Sequence, residues 1–254
     1  MTVVLPSAVR DSLRFADNYR RHRDYLMQLD RVRFRALGEA NLRAFVREGV
    51  TLADHVGAEY VEEAQYILFV MSGAGTHFMS DPRLGPFAEA LTGPPVPGLS
   101  RTEALHRAVS EFALEFVGRD FALYAGALEA FSRMAGPAMR AADPVAACLE
   151  AVCRAYGFIP DLPWRLPARM MAERAAASAA ALGLAGPQAT ALCLGLGFWL
   201  GTGFDRDPLY PWVRAKVDGA GPSPAARLAA LEAYTARRLG RQLRHLKERT
   251  GVRL

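Results

Sequence analysis

A 28-residue stretch recurs in this chain at an offset of 126 positions, and this limits the folds open to it more than any other feature. His55–Pro82 (HVGAEYVEEAQYILFVMSGAGTHFMSDP) aligns without a gap to Ala181–Pro208 (ALGLAGPQATALCLGLGFWLGTGFDRDP). Gly57 falls on Gly183, Gly75-Thr76 on Gly201-Thr202, Phe78 on Phe204, and Asp81-Pro82 on Asp207-Pro208. After a one-residue slip Pro86-Phe87 meets Pro211-Trp212, and downstream Arg101–Leu105 matches Arg227–Leu231. Recurrence at a fixed period implies one supersecondary unit used twice, its apolar faces buried by packing on neighbouring elements.

The unit reads as helical. Apolar residues recur at three- and four-residue spacing through Val9, Leu13, Ala16 and Tyr19, then Leu42, Phe45 and Val46, then Val61, Ala64, Ile67, Leu68 and Met71. No segment sustains the alternation of a strand. Helices are expected over Pro6–Leu29, from Gly38-Glu39 to about Leu52, over Glu59–Phe78 and over Leu84–Leu91. Further helices are expected from Ser100, and over Phe121–Met134, Pro144–Tyr156, Pro167–Leu182, Pro187–Phe204 and Pro224–Lys247. Ser100-Arg101-Thr102-Glu103 has the spacing of a capping box, and Asp143-Pro144 sets an N-cap before a proline at the first helical position. The fold class expected is all-α, two pseudo-repeated modules packed into one compact helical array. The boundaries are an N-terminal helix (1–36), a first module (37–110), a helical insert (111–143), a second module (144–236) and a basic helix end and tail (237–254).

Within the shared block, an apolar helix runs into Gly-Thr-x-Phe, where Gly75 or Gly201 would let another backbone approach. Phe78 or Phe204 would anchor the exit. Asp81-Pro82 or Asp207-Pro208 would turn the chain, the aspartate capping the next short helix. Phe87 or Trp212 would seat its ring in the core. These are the parts of a structural corner.

Hydrophobic residues make up 51% of the 254 residues and charged residues 22%, enough for a buried core. The longest apolar run, Ala189–Phe204, falls short of the roughly 20 residues a bilayer span needs and holds four glycines, so it is expected to be a core helix. Met1–Val9 lacks the basic region and apolar stretch of a signal peptide, and a cytoplasmic location is expected. Cys148, Cys153 and Cys193 lack zinc-ligand spacing and are expected as buried free thiols.

Charge is uneven. The last eighteen residues carry Arg237, Arg238, Arg241, Arg244, Lys247, Arg249 and Arg253 against Glu248 alone, a net of +6, which leaves −1 for the rest of a chain whose total is +5. Arg237, Arg238, Arg241 and Arg244 are therefore the candidate contacts to an acidic partner, unless they only complement the helix dipole at a solvated end.

No catalytic, cofactor or metal site is expected. His22, His55, His77, His106 and His245 are scattered without ligand spacing, and His77 is replaced by Gly203 in the second copy. Gly73-Ala74-Gly75 and Gly195-Leu196-Gly197 lie late in apolar helices, the wrong end for a nucleotide phosphate. Glu59, Glu62 and Glu63 suit the positive end of a helix dipole, and Ala185, Gln188 and Ala189 occupy those positions in the other copy. Arg31, Arg33 and Arg35 read as a solvated face.

The segment LRAFVREGVTLADHVGAEYVEEAQYILFVMSGAGTHFMSDPRLGPFAEAL resembles the small helical modules encoded beside type VI secretion effector, spike and adaptor genes. The resemblance spans about Arg35–Leu105 and, more weakly, Arg169–Leu231. Gly75, Phe78, Asp81, Pro82 and Pro86 carry it in the first copy, with Phe87 in place of a tryptophan. Gly201, Phe204, Asp207, Pro208, Pro211 and Trp212 carry it in the second. Such modules have one copy; this chain has two, separated by Glu111–Asp143. The resemblance implies a non-enzymatic accessory role, as an adaptor or co-chaperone that binds a secretion effector or its adaptor. An immunity protein neutralising a cognate toxin is the alternative, which a near-neutral body with a basic tail fits less well when the toxin is a basic nuclease. An enzyme or toxin has no motif in its favour, and nucleic acid is not the expected partner because the basic helix lacks interleaved aromatics.

Overall fold

The computed structural model describes residues 7–58, 60–118, 121–134, 141–155 and 168–250. Among them the protein is all-α. The helices are α1 (Ser7–Leu29), α2 (Arg31–Leu37), α3 (Glu39–His55), α4 (Val61–Ala74), α5 (Gly85–Thr92), α6 (Arg101–Phe112), α7 (Ala122–Met134), α8 (Pro144–Ala155), α9 (Ala168–Ala181), α10 (Pro187–Leu200), α11 (Pro211–Asp218) and α12 (Pro224–Thr250). Two 3-10 turns, Phe78–Ser80 and Pro82–Leu84, lie between α4 and α5, and a π-helical turn, Ala113–Val117, extends α6. Glu59, Tyr156 and Pro167, named above in expected helices, lie outside the described residues, as does Arg253.

By its contacts the chain divides into two compact units: Met1–Thr76 with Asp207–Pro211, and His77–Arg206 with Trp212–Leu254. The division falls inside the corner segments. In the first unit α1 packs on α2, α3 and α4, burying Leu26, Phe34, Leu42, Phe45, Ile67, Leu68 and Met71. Asp30 caps α2, its Oδ1 accepting from the Arg33 N–H at 2.9 Å. Arg31–Leu37 thus forms a short helix of its own.

In the second unit α10 is the hub, packed on α8 and α9 and buried at every position from Ala191 to Phe198, as this apolar run requires. Phe131 of α7 lies over Gly195, where any Cβ would fall within the ring. α5 packs on α6, where Ser100 and Glu103 form the expected capping box. Asp143 caps α8 through the Ala146 N–H at 3.0 Å. The three cysteines are free and buried; burial pushes the Cys148 and Cys193 thiols up to about 12 and Cys153 to about 11. Among the described residues no helix is long and apolar enough to cross a membrane.

Two helices stop earlier than the hydrophobic pattern indicates. α4 ends at Ala74 and α10 at Leu200, each four residues before the aligned phenylalanine. Gly75 (φ 89°, ψ 158°) and Gly201 (φ 93°, ψ 153°) follow at once, in a backbone region open only to glycine. This conformation is what demands glycine there. α4 and α10 are both 14 residues long and α5 and α11 both 8, each pair starting 126 positions apart, with no slip.

The helix bounds correct the expectation for the Pro-aromatic step. Without the slip, Phe87 aligns with Val213, and both are buried. Trp212 sits one residue earlier in its helix, about 100° around the axis, and is only half-buried among Trp199 and Tyr234 at ring separations of 6.3 and 5.1 Å.

Candidate functional site

The two corners share several main-chain hydrogen bonds. The Gly75 N–H donates to the Met71 carbonyl and the Gly201 N–H to Gly197. The Leu84 N–H donates to the Asp81 carbonyl and the Tyr210 N–H to Asp207, which closes the Asp-Pro turns at Pro82 and Pro208. Phe78 and Phe204 are buried; Phe78 meets Phe87 edge-on at 6.2 Å, and Phe87 meets Phe112 at 5.5 Å.

Each aspartate does two things. Asp81 Oδ1 accepts from the Arg83 N–H at 3.0 Å and Asp207 Oδ1 from the Leu209 N–H at 2.8 Å, which is the expected local cap. The other oxygen reaches the other corner. Asp81 Oδ2 accepts from the Thr202 N–H at 3.0 Å, and Asp207 Oδ2 from the Thr76 N–H at 2.7 Å. So the amide that follows each glycine terminus, with no helical acceptor of its own, is satisfied by the carboxylate of the other corner. A pairing of i with j and of j with i is the pattern of an isologous contact.

The corners differ in one neighbour. Arg83 grips Asp81 through Nε (3.0 Å to Oδ1) and Nη2 (2.7 Å to Oδ2), and its Nη1 donates to the Phe198 carbonyl at 3.0 Å. Asp81 has no exposed side-chain surface, and only 9% of the Arg83 side chain is exposed. Leu209 takes the aligned position and offers no charge. Burial works against the Asp81 anion, but attraction and hydrogen bonds from Arg83 hold its carboxyl below the usual range. Burial instead raises Asp207, against bonds from Leu209 and Thr76 and the attraction of Arg33. Arg83, Thr76 and Thr202 were absent from the sequence-predicted set. Arg83 directly follows the Asp-Pro pair, a position from which it could have been suspected; the threonine amides left no signal.

His77 and Gly203, read above as drift, face each other. A Cβ built on Gly203 would lie 2.7 Å from His77 Cγ and 2.8 Å from His77 Cβ.

The basic candidates on α12 behave differently from one another. Arg238 is half-buried, its guanidinium 5.0 Å from the Trp212 ring centroid and 5.8 Å from that of Tyr234. Lys216 lies 4.8 Å and Arg237 5.7 Å from the Tyr234 ring. Arg237, Arg241 and Arg244 are exposed and, spaced four and three residues apart, share one face. No carboxylate among the described residues pairs with them. Arg31 and Arg35 line a recess of about 420 Å³ in the first unit with Arg23, Asp24 and Glu39, a surface of mixed sign. Glu62 and Glu63 sit in the first turn of α4, where Glu63 accepts from the Tyr60 N–H at 3.1 Å.

Gly73 lies inside α4, and Gly195 and Gly197 inside α10, so neither glycine pair forms a phosphate loop. Among the described residues no group of three or more His, Cys, Asp or Glu side chains is placed to hold a metal ion. No protein-family model matches this chain, and neither a curated protein nor a solved structure is found similar to it.

Proposed function

We propose that the chain is a tandem pair of one helical module that works in the cytoplasm as a non-enzymatic accessory factor, holding an acidic protein partner on the exposed face of α12. In the setting implied by the resemblance, the partner is a type VI secretion effector or its adaptor. The observation that carries this reading is the row Arg237, Arg241 and Arg244. Five surface arginines elsewhere sit in pairs with carboxylates four residues away: Arg43–Glu39, Arg107–Glu111, Arg133–Glu129, Arg154–Glu150 and Arg169–Glu173. The α12 row has no such partner among the described residues. The helix dipole accounts for cations in the last turn only, and Arg237 lies more than three turns before Thr250. A line of unpaired cations raises the encounter rate with an acidic surface and fixes its register. The aromatic faces beside it are covered by Lys216 and Arg238, which favours an acidic protein over stacked nucleic-acid bases.

The test is co-expression with the products of neighbouring genes, followed by capture of this protein. A neighbour should co-purify, and the triple change Arg237→Glu, Arg241→Glu and Arg244→Glu should weaken its binding by about tenfold or more while the helical signal and Tm stay unchanged. Capture indifferent to the charge reversal, or no captured neighbour at all, refutes the proposal.

A further inference from the structure

We infer that each corner is a pairing surface for the other corner, and that the His77–Gly203 mismatch restricts this pairing to first copy with second. The inference rests on the two-copy reading and is independent of the face proposed for a partner.

Two observations combine. The first is the exchange itself: Asp81 to the Thr202 amide and Asp207 to the Thr76 amide, aligned donors and aligned acceptors traded across the copies. Contacts of this form arise when a surface pairs with its own duplicate. The second is a place where aligned residues face each other directly. In a pairing of two identical surfaces, such a position must carry the same side chain on both sides. Here it carries an imidazole on one side and nothing on the other, and the ring occupies the space that a Cβ at 203 would need. Two first corners would set imidazole against imidazole in a space that does not admit one further methyl. Two second corners would leave that space empty, at the cost of lost contacts. Only the mixed pair fills it.

A tandem chain is released from the symmetry requirement and has used the release to place large opposite small. The consequence is that the corners of one molecule satisfy each other, and that like corners of two molecules do not pair. Discrimination against the like pair, as much as attraction within the unlike pair, sets the choice.

A double-mutant cycle in the full-length chain tests the contact. Gly203→Ala lowers Tm in the wild type; in a His77→Ala background the same change should lower it by half as much or less. The positive φ of residue 203 (81°) penalises alanine equally in both backgrounds and cancels from the comparison. Equal drops overturn the inference. The choice of partner is tested by refolding wild type and His77→Gly at low and high protein concentration, with size measured by sedimentation. His77→Gly should give a dimer fraction above that of wild type, growing with concentration. Equal fractions in the two proteins, including none in either, overturn the restriction.

Discussion

Replacing Asp81 by alanine removes three things at once, and their sizes follow from the geometry. The 3-10 turn at Pro82 loses its cap, worth about 1 kcal/mol. The Thr202 amide loses its acceptor, worth about 1–3 kcal/mol for a buried donor. Arg83, 9% exposed and bonded to both carboxylate oxygens, is left as a buried charge without its anion. Breaking such a pair from one side costs about 3–5 kcal/mol. The losses overlap, because Arg83 regains some water once the carboxylate is gone, so the expected total is about 4 kcal/mol. That is a large share of the roughly 5–15 kcal/mol of a typical domain. Urea unfolding gives the number, with an unchanged m-value showing that the transition is the same. Arg83→Leu, which copies the residue aligned with it, should also destabilise, since Asp81 then keeps only its two amide donors. The double variant Asp81→Ala with Arg83→Leu should cost clearly less than the two single costs added, because no lone charge remains. Asp81→Ser, which retains a capping oxygen, should fall between wild type and Asp81→Ala. A cost below about 1 kcal/mol for Asp81→Ala, or additive single costs, would refute the claim that Asp81 and Arg83 act as one buried unit.

The two aspartates should oppose each other in pH dependence. Asp81 is held below its ordinary value of 3.8, so its contribution is full above that pH and is lost as pH falls through the folded-state value. Asp207 is raised above 3.8, so the stability gained from its protonated form is present below that pH and is lost as pH rises through the folded-state value. Unfolding midpoints across the acid range should therefore lose their acid limb in Asp81→Asn and lose the decline above pH 3.8 in Asp207→Asn; identical profiles for the two variants would contradict the assignment. Alanine scanning of two helical glycines gives a further contrast. Gly195→Ala forces the Phe131 ring aside and should cost about 1–3 kcal/mol or more. Gly73→Ala, where a Cβ meets nothing within 4 Å, should add about 0.5–1 kcal/mol. Thermal melts that rank the two in the other order would show that space, as read from the backbone, does not govern these sites.

The helices were legible because local signals agree along most of them. Ser100 with Glu103, Asp143 before Pro144, and Pro187 at the head of α10 mark helix starts that depend on a few adjacent residues. The ends of α4 and α10 were misread for a physical reason. Apolar spacing continues through Phe78 and Phe204, but the backbone leaves the helix at Gly75 and Gly201, and hydropathy carries no information about φ. The slip at the Pro-aromatic step had a similar origin: matching proline to proline ignored that helix position, not residue type, decides which ring is buried. Phe87 is buried and Trp212 is not, while Val213 fills the position that Phe87 fills in its own helix.

What the sequence concealed has one cause. The bonds that finish each corner join residues 121 and 131 positions apart, and nothing local in either partner announces them. Comparing the copies column by column finds what each keeps for itself, such as glycine, phenylalanine and Asp-Pro. It passes over positions where the aligned residues differ, such as His77 and Gly203, which lie against each other. The same comparison bears on where a partner would bind. With both carboxylates and both terminal amides committed inside the chain, the corners have little left to offer an outside group. Arg237, Arg241 and Arg244, which no carboxylate among the described residues pairs with, lie beyond the aligned block.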